Sequence, residues 1–123
     1  MKEFEKYKKI WEKRELLERK KLERERIKAL ETAEKISETL ARRYNVTRVI
    51  LFGSVLDPDS FHSRSDIDIA VEGLKKTRYF EALGELMMKY DRNIDLKPVE
   101  ELTGLMLKKI SLGRILYEKR KNT

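Results

Sequence analysis

Cysteine and glutamine are absent from this chain, and histidine occurs once, as His62. Without cysteine there is no disulfide, no zinc-thiolate cluster and no thiol nucleophile. A single imidazole cannot build a multi-histidine metal site. Any catalytic metal therefore falls to carboxylates, whose hard oxygens favour magnesium or manganese over zinc. No apolar stretch approaches the roughly 20 residues of a membrane span, and the first residues are charged throughout, unlike a signal peptide. These absences lead to the expectation of a soluble, cytoplasmic protein with no membrane partner.

What is present is charge. Asp, Glu, Lys and Arg make up 41% of 123 residues, with a formal net charge of +7 and a pI near 9.6. Residues 1–26 hold 11 Lys and Arg against 7 Glu, so more than half of the excess lies there. Glutamate is interleaved with the bases, which leaves no one-signed stripe and disfavours a nucleic-acid partner. The length suits one domain of modest core with an appended element.

Residues 2–44 contain no Gly or Pro and are rich in the strong helix formers Glu, Lys, Arg, Leu and Ala, which predicts one long helix or two joined by a bend. Phe4, Tyr7, Ile10, Trp11 and Leu17 recur at helical spacing in its first half, but Arg14, Lys20, Lys21 and Arg24 break the stripe a coiled coil needs. Ile27, Leu30, Ala33, Ile36 or Ser37, Leu40 and Tyr44 form a continuous apolar face in the second half. The expected organisation is a charged helical extension at 1–26, a domain at 27–118 and a frayed end at 119–123. The exposed aromatics make the extension a candidate surface for homo- or hetero-oligomerisation.

The rest of the domain is punctuated by short apolar runs. Strands are predicted at 46–52, 66–72 and 93–99, a helix at 77–90 with Phe80, Leu83, Leu86, Met87 and Tyr90 inward, a helix at 100–110, and a short last strand at 114–117. The most informative stretch is 49–72. Val49-Ile50-Leu51-Phe52 ends at Gly53-Ser54, and Asp66 to Val71 alternates between Asp or Ala and Ile or Val. Alternation on a strand sends Asp66 and Asp68 to one face and Ile67, Ile69 and Val71 to the other. Like charges held side by side call for a cation, and an oxygen-preferring divalent metal is the usual one. Asp95, flanked by Ile94 and Leu96, offers a third carboxylate on the next strand.

Gly53 lets the backbone approach a ligand closely, and the Ser54 hydroxyl and the N–H groups beyond it can donate to phosphate. Phosphate donors and three metal-binding aspartates would then flank one triphosphate. Two metal ions about 3.5 to 4 Å apart suit an in-line displacement at phosphorus. Nucleotidyl transfer needs that arrangement.

Taken together, Leu51-Phe52-Gly53-Ser54, Ser65-Asp66-Ile67-Asp68-Ile69-Ala70-Val71 and Ile94-Asp95-Leu96 resemble the DNA polymerase β-type nucleotidyltransferases, and most nearly the minimal nucleotidyltransferase (MNT) antitoxins. The resemblance spans about residues 27–118, ending with Arg114-Ile115-Leu116-Tyr117-Glu118. It implies an α+β fold, a small mixed sheet flanked by helices, with the long N-terminal helix appended. It also implies ATP as substrate, two Mg2+ ions or Mn2+ in their place, and a HEPN toxin as partner. Asp66, Asp68 and Asp95 would be catalytic and metal-ligating, with Asp95 as general base. Gly53 and Ser54 would bind the nucleotide, joined by Arg64 and Ser65 just before the aspartate pair.

The family commonly follows Gly-Ser with an arginine-bearing segment, whereas Val55-Leu56-Asp57-Pro58 stands here, and 11 residues separate Ser54 from Asp66. The leading expectation is a protein adenylyltransferase moving AMP from ATP onto a hydroxyl, tyrosine foremost, of the toxin. The alternative is an MNT-fold antitoxin with weak or no catalysis that neutralises its toxin by contact.

Overall fold

The computed structural model describes residues 2–120 of the chain; of the frayed end expected at 119–123, residues 121–123 lie outside the described residues. Helix α1 (Lys2–Tyr44) runs unbroken for 43 residues, about 65 Å at 1.5 Å per residue. It stops at Asn45, whose φ of 52° is the left-handed conformation that ends helices. Strands β1 (Arg48–Phe52) and β2 (Ile67–Glu72) follow, then α2 (Tyr79–Lys89), β3 (Ile94–Pro98), α3 (Leu105–Ser111) and β4 (Arg114–Glu118).

The four strands form one mixed sheet in the order β3-β2-β1-β4. β1 is antiparallel to both β2 and β4, while β2 and β3 are parallel with α2 as their crossover. A parallel pair needs such a long connection. On one face of the sheet, Val49, Leu51, Ile67, Ile69, Val71 and Leu96 pack against α1 and α2, through Ala33, Ile36, Leu40, Ala82 and Leu86. Each fully buried Leu or Ile there contributes about 1.5 to 3 kcal/mol relative to exposure. The opposite face has a smaller apolar cluster, where Ile50, Phe52 and Ala70 meet Ile110 of α3.

Three local expectations are revised. The apolar face of α1 uses Ala29 in place of Ile27, which is 45% exposed, and packing begins at Leu22, half-buried against the core. The buried face of α2 is Ala82 and Leu86 with Tyr79, Leu83 and Tyr90 beside them, whereas Phe80 and Met87 lie outward. The helix expected at 100–110 is divided: a single 3-10 turn spans Val99–Glu101, Leu102 is extended, and Gly104 with φ 57° precedes the shorter α3. The backbone there takes a conformation that only glycine adopts freely, so the turn and the helix cannot be continuous.

Residues 2–14 and 16–21 are exposed along the arm. Phe4, Tyr7, Ile10 and Trp11 are all more than half exposed. Glu15 and Arg19, four residues apart on the arm, come within 3.7 Å. No helix among the described residues is long and apolar enough to cross a membrane.

Candidate active site

β1 delivers Gly53 to the rim of the sheet, and β2 and β3 deliver the aspartates beside it. Asp68 faces Phe52 across the β1–β2 ladder and Asp95 across the β2–β3 ladder. Because β2 and β3 are parallel and in this register, the two carboxylates emerge side by side on the face away from α1 and α2. They line a cavity of about 480 Å³ together with Gly53, Leu56, Lys97 and Lys109. Gly53 takes φ 85°, and a Cβ there would fall on the Asp68 carboxylate, 3.0 Å from its Cγ. The backbone and the carboxylate touch, which only glycine permits.

Burial raises the Asp68 carboxyl to a pKa of about 6, with the negative charges of Asp95 and then Asp66 adding to the effect, against the weaker pull of Lys97 and Lys109. A carboxylate made costly in this way is stabilised by an arriving cation. Asp95 is already paired: Lys97 Nζ lies 3.0 Å from its Oδ2.

Asp66 precedes β2 and is exposed; its charge reaches Asp68, but it does not line the cavity. Among the described residues no three His, Asp or Glu side chains converge as a ready-made metal site. The donor set nonetheless fits a hard divalent ion, since Asp68 and Asp95 are adjacent oxygen donors whose mutual repulsion raises the Asp68 pKa.

The Gly53 carbonyl accepts from Leu56 N–H at 3.2 Å, closing the 3-10 turn Ser54–Leu56. In the segment where the resemblance leads one to expect arginine, Val55 is fully buried in the main core, and Arg26 of α1 donates from Nη1 to its carbonyl at 3.0 Å. Asp57 is occupied by the loop itself. Its carboxylate accepts from Ser60 Oγ at 2.6 Å and from Asp59 N–H at 3.0 Å, and these bonds hold its pKa below the usual range.

Arg64 and Ser65 border a different cavity, of about 470 Å³, with Tyr90, Arg92 and Asn93. Ser65 is buried; its hydroxyl accepts from His62 N–H at 2.9 Å, while His62 Nδ1 accepts from Arg64 N–H at 3.2 Å. His62 is thus a loop residue, as its isolation in the sequence suggests. A smaller cavity, about 380 Å³, lies at the other end of the sheet among Leu74, Tyr79, Phe80 and Pro98 and holds no aspartate.

Lys97 and Lys109 are the site residues that sequence reasoning missed. Lys97 had a signal, since it stands two residues after Asp95 on the same strand and so shares its face. Lys109 had none, because α3 reaches the cavity only through tertiary packing.

Residues 34–122 match the family described as polymerase beta, nucleotidyltransferase. The chain belongs to that family and carries a nucleotidyltransferase domain. Its fold is similar to that of a chain in a toxin-antitoxin complex with AMP-PNP, with 25% identity over 71% of this chain and 74% of that one and a TM-score of 0.58. It is likewise similar to a chain of the MntA-HepT toxin-antitoxin pair, at 22% identity, 72% and 71% coverage and a TM-score of 0.54. A third similar structure is a tri-AMPylated HEPN toxin of Shewanella oneidensis in complex with MNT antitoxin, at 23% identity, 74% and 73% coverage and a TM-score of 0.53. No curated protein matches the chain.

Proposed function

We propose that this chain is the antitoxin of a cytoplasmic toxin–antitoxin pair and a magnesium-dependent adenylyltransferase that moves AMP from ATP to a tyrosine hydroxyl of a HEPN toxin. The single observation that carries this reading is Asp68 facing Asp95 beside Gly53 at one cavity. Support for the partner and the transferred group comes from the similar structures, one containing AMP-PNP and one a tri-AMPylated HEPN toxin.

In the proposed site Asp68 and Asp95 would hold the cation from the cavity, with Asp66 joining them from the threshold of β2, and Gly53 and Ser54 would present backbone and hydroxyl donors to the phosphates. Magnesium, when bound, would neutralise phosphate charge and acidify the attacking hydroxyl. Asp95 accepts the hydroxyl proton as the acceptor oxygen bonds to the α-phosphorus and pyrophosphate leaves. Arg64 borders the neighbouring cavity, on the loop that Ser65 fixes, and would lend positive charge to the nucleotide from there. The extension 1–26 is appended to the nucleotidyltransferase domain 27–118 and meets the toxin or a second copy.

A second reading, an antitoxin acting by contact alone, is favoured by Val55: the segment after Ser54 is spent on the core instead of on a triphosphate clamp. Intact-mass measurement of the toxin after incubation with this chain, magnesium and ATP separates the two. Added AMP supports transfer; a neutralised toxin of unchanged mass refutes it.

A further inference from the structure

The cavity holding the aspartates already contains a cation, and the protein supplies it. Lys97 Nζ sits 3.0 Å from Asp95 Oδ2 and 3.3 Å from Oδ1. Asp95 and Lys97 are alternate residues of β3, so the strand itself places the ammonium on the face that Asp68 shares. Their side chains are 39% and 29% exposed, so water screens the pair less than it would a fully exposed ion pair. Lys109 lines the same cavity from α3, yet no carboxylate lies within ion-pairing distance of it among the described residues. One lysine is paired to a proposed metal ligand, and the other faces the cavity without such a partner.

We infer that Lys97 is a displaceable internal counter-ion that holds the place beside Asp95 until a divalent cation takes it, whereupon its ammonium turns to the phosphate oxygens of the incoming nucleotide. The inference rests on the reading of the site as a metal-dependent nucleotidyltransferase. Its physical content is competition. A lone divalent ion must evict a tethered ammonium from Asp95, which weakens binding. A triphosphate offers that ammonium, together with Lys109, a second anionic partner in the same cavity, so the eviction costs less when nucleotide is present. Cation and nucleotide then strengthen each other's binding, and by linkage the factor is the same in both directions. Lys97 is a positioning residue in this scheme; it sets when the site is loaded and forms no bond to the reacting atoms.

The test is direct cation binding, independent of transfer. Mn2+ is titrated into the full chain and into Lys97→Met, followed by electron paramagnetic resonance of the free ion, first alone and then with AMP-PNP. Methionine keeps the length and apolar contacts of the lysine stem and removes its charge. Lys97→Met is expected to bind Mn2+ alone about tenfold tighter or better, given that unit charges this close interact strongly even at high effective dielectric. The gain that AMP-PNP brings to Mn2+ binding shrinks by the same factor, while Lys97→Arg behaves as the natural chain. Should the methionine variant misfold by circular dichroism, Lys97→Gln carries the same expectation.

Two results overturn the inference and are distinguishable. If Mn2+ binds with AMP-PNP, is lost in Asp95→Asn, and binds Lys97→Met no better than the natural chain, the counter-ion role fails and the metal site stands. If the natural chain binds no Mn2+ even with AMP-PNP, the reading of the site falls and the counter-ion role with it.

Discussion

Gly53→Ala tests the contact on which the site is built. Two costs add at this position. The first is conformational, because φ 85° places an alanine in the left-handed region, at about 1 to 3 kcal/mol for a non-glycine residue. The second is steric, since the new Cβ would collide with the Asp68 carboxylate and stand 3.0 Å from its Cγ and 3.3 Å from its Cβ. Asp68 is held by β2, which is hydrogen-bonded on both sides, so its carboxylate must swing away from Gly53 and leave its present place beside Asp95. The melting temperature is expected to fall by roughly 3 to 10 °C, measured by circular dichroism. AMP transfer is expected to fall by a further factor of about 100 at a temperature where the variant is folded, as displacement of a reacting group by about 1 Å does. Gly84→Ala is the control: it lies in α2, with nothing within 4 Å of the added methyl, and is expected to stabilise by about 0.5 to 1 kcal/mol with transfer unchanged. Full transfer by folded Gly53→Ala refutes the claim that this backbone contact positions Asp68.

Asp68→Asn should raise the melting temperature of the metal-free protein at pH 7.5. The folded carboxyl has its pKa raised from 3.8 to about 6, so its ionisation destabilises the fold as pH rises through that window. The gain from asparagine is therefore largest above pH 6 and shrinks toward pH 3.8; a gain that grows on acidification contradicts the sign. Arg26→Met removes the bond to the Val55 carbonyl and is expected to cost about 1 to 2 kcal/mol in urea denaturation; an unchanged midpoint would show that α1 does not secure the turn after Gly53. Deletion of residues 2–20, all lying before the first core contact at Leu22, should move the melting temperature by no more than about 2 °C. A larger drop would mean that the arm packs against a second copy.

Much of the site was legible because strand periodicity is rigid. Ile67, Ile69 and Val71 bury one face of β2 fully, and that alone commits Asp68 to the other. The same logic assigned Asp95 opposite Leu96. Register was not legible: that Asp68 stands opposite Asp95 follows from the parallel pairing of strands joined through α2, and no local pattern encodes it. Asp66 shows the limit of periodicity from the other side, since β2 begins one residue later, at Ile67, and the expected second carboxylate on the strand lies at its threshold. Helical phase was harder still in α2, where Phe80, Met87 and Met88 form an outer stripe that is apolar yet exposed, so composition could not choose between the faces. Lys109 lines the cavity because α3 packs on the sheet through Ile110, against Ile50 and Phe52, a tertiary contact that no local pattern encodes.

The most direct test of the account is transfer of label from ATP to a HEPN toxin in the presence of magnesium, with the label placed on the α-phosphate in one reaction and on the γ-phosphate in another. The account predicts that only the α label reaches the toxin, on tyrosine, and that Asp68→Asn and Asp95→Asn abolish it. Toxin that is neutralised by this chain while neither label appears on it would contradict the account.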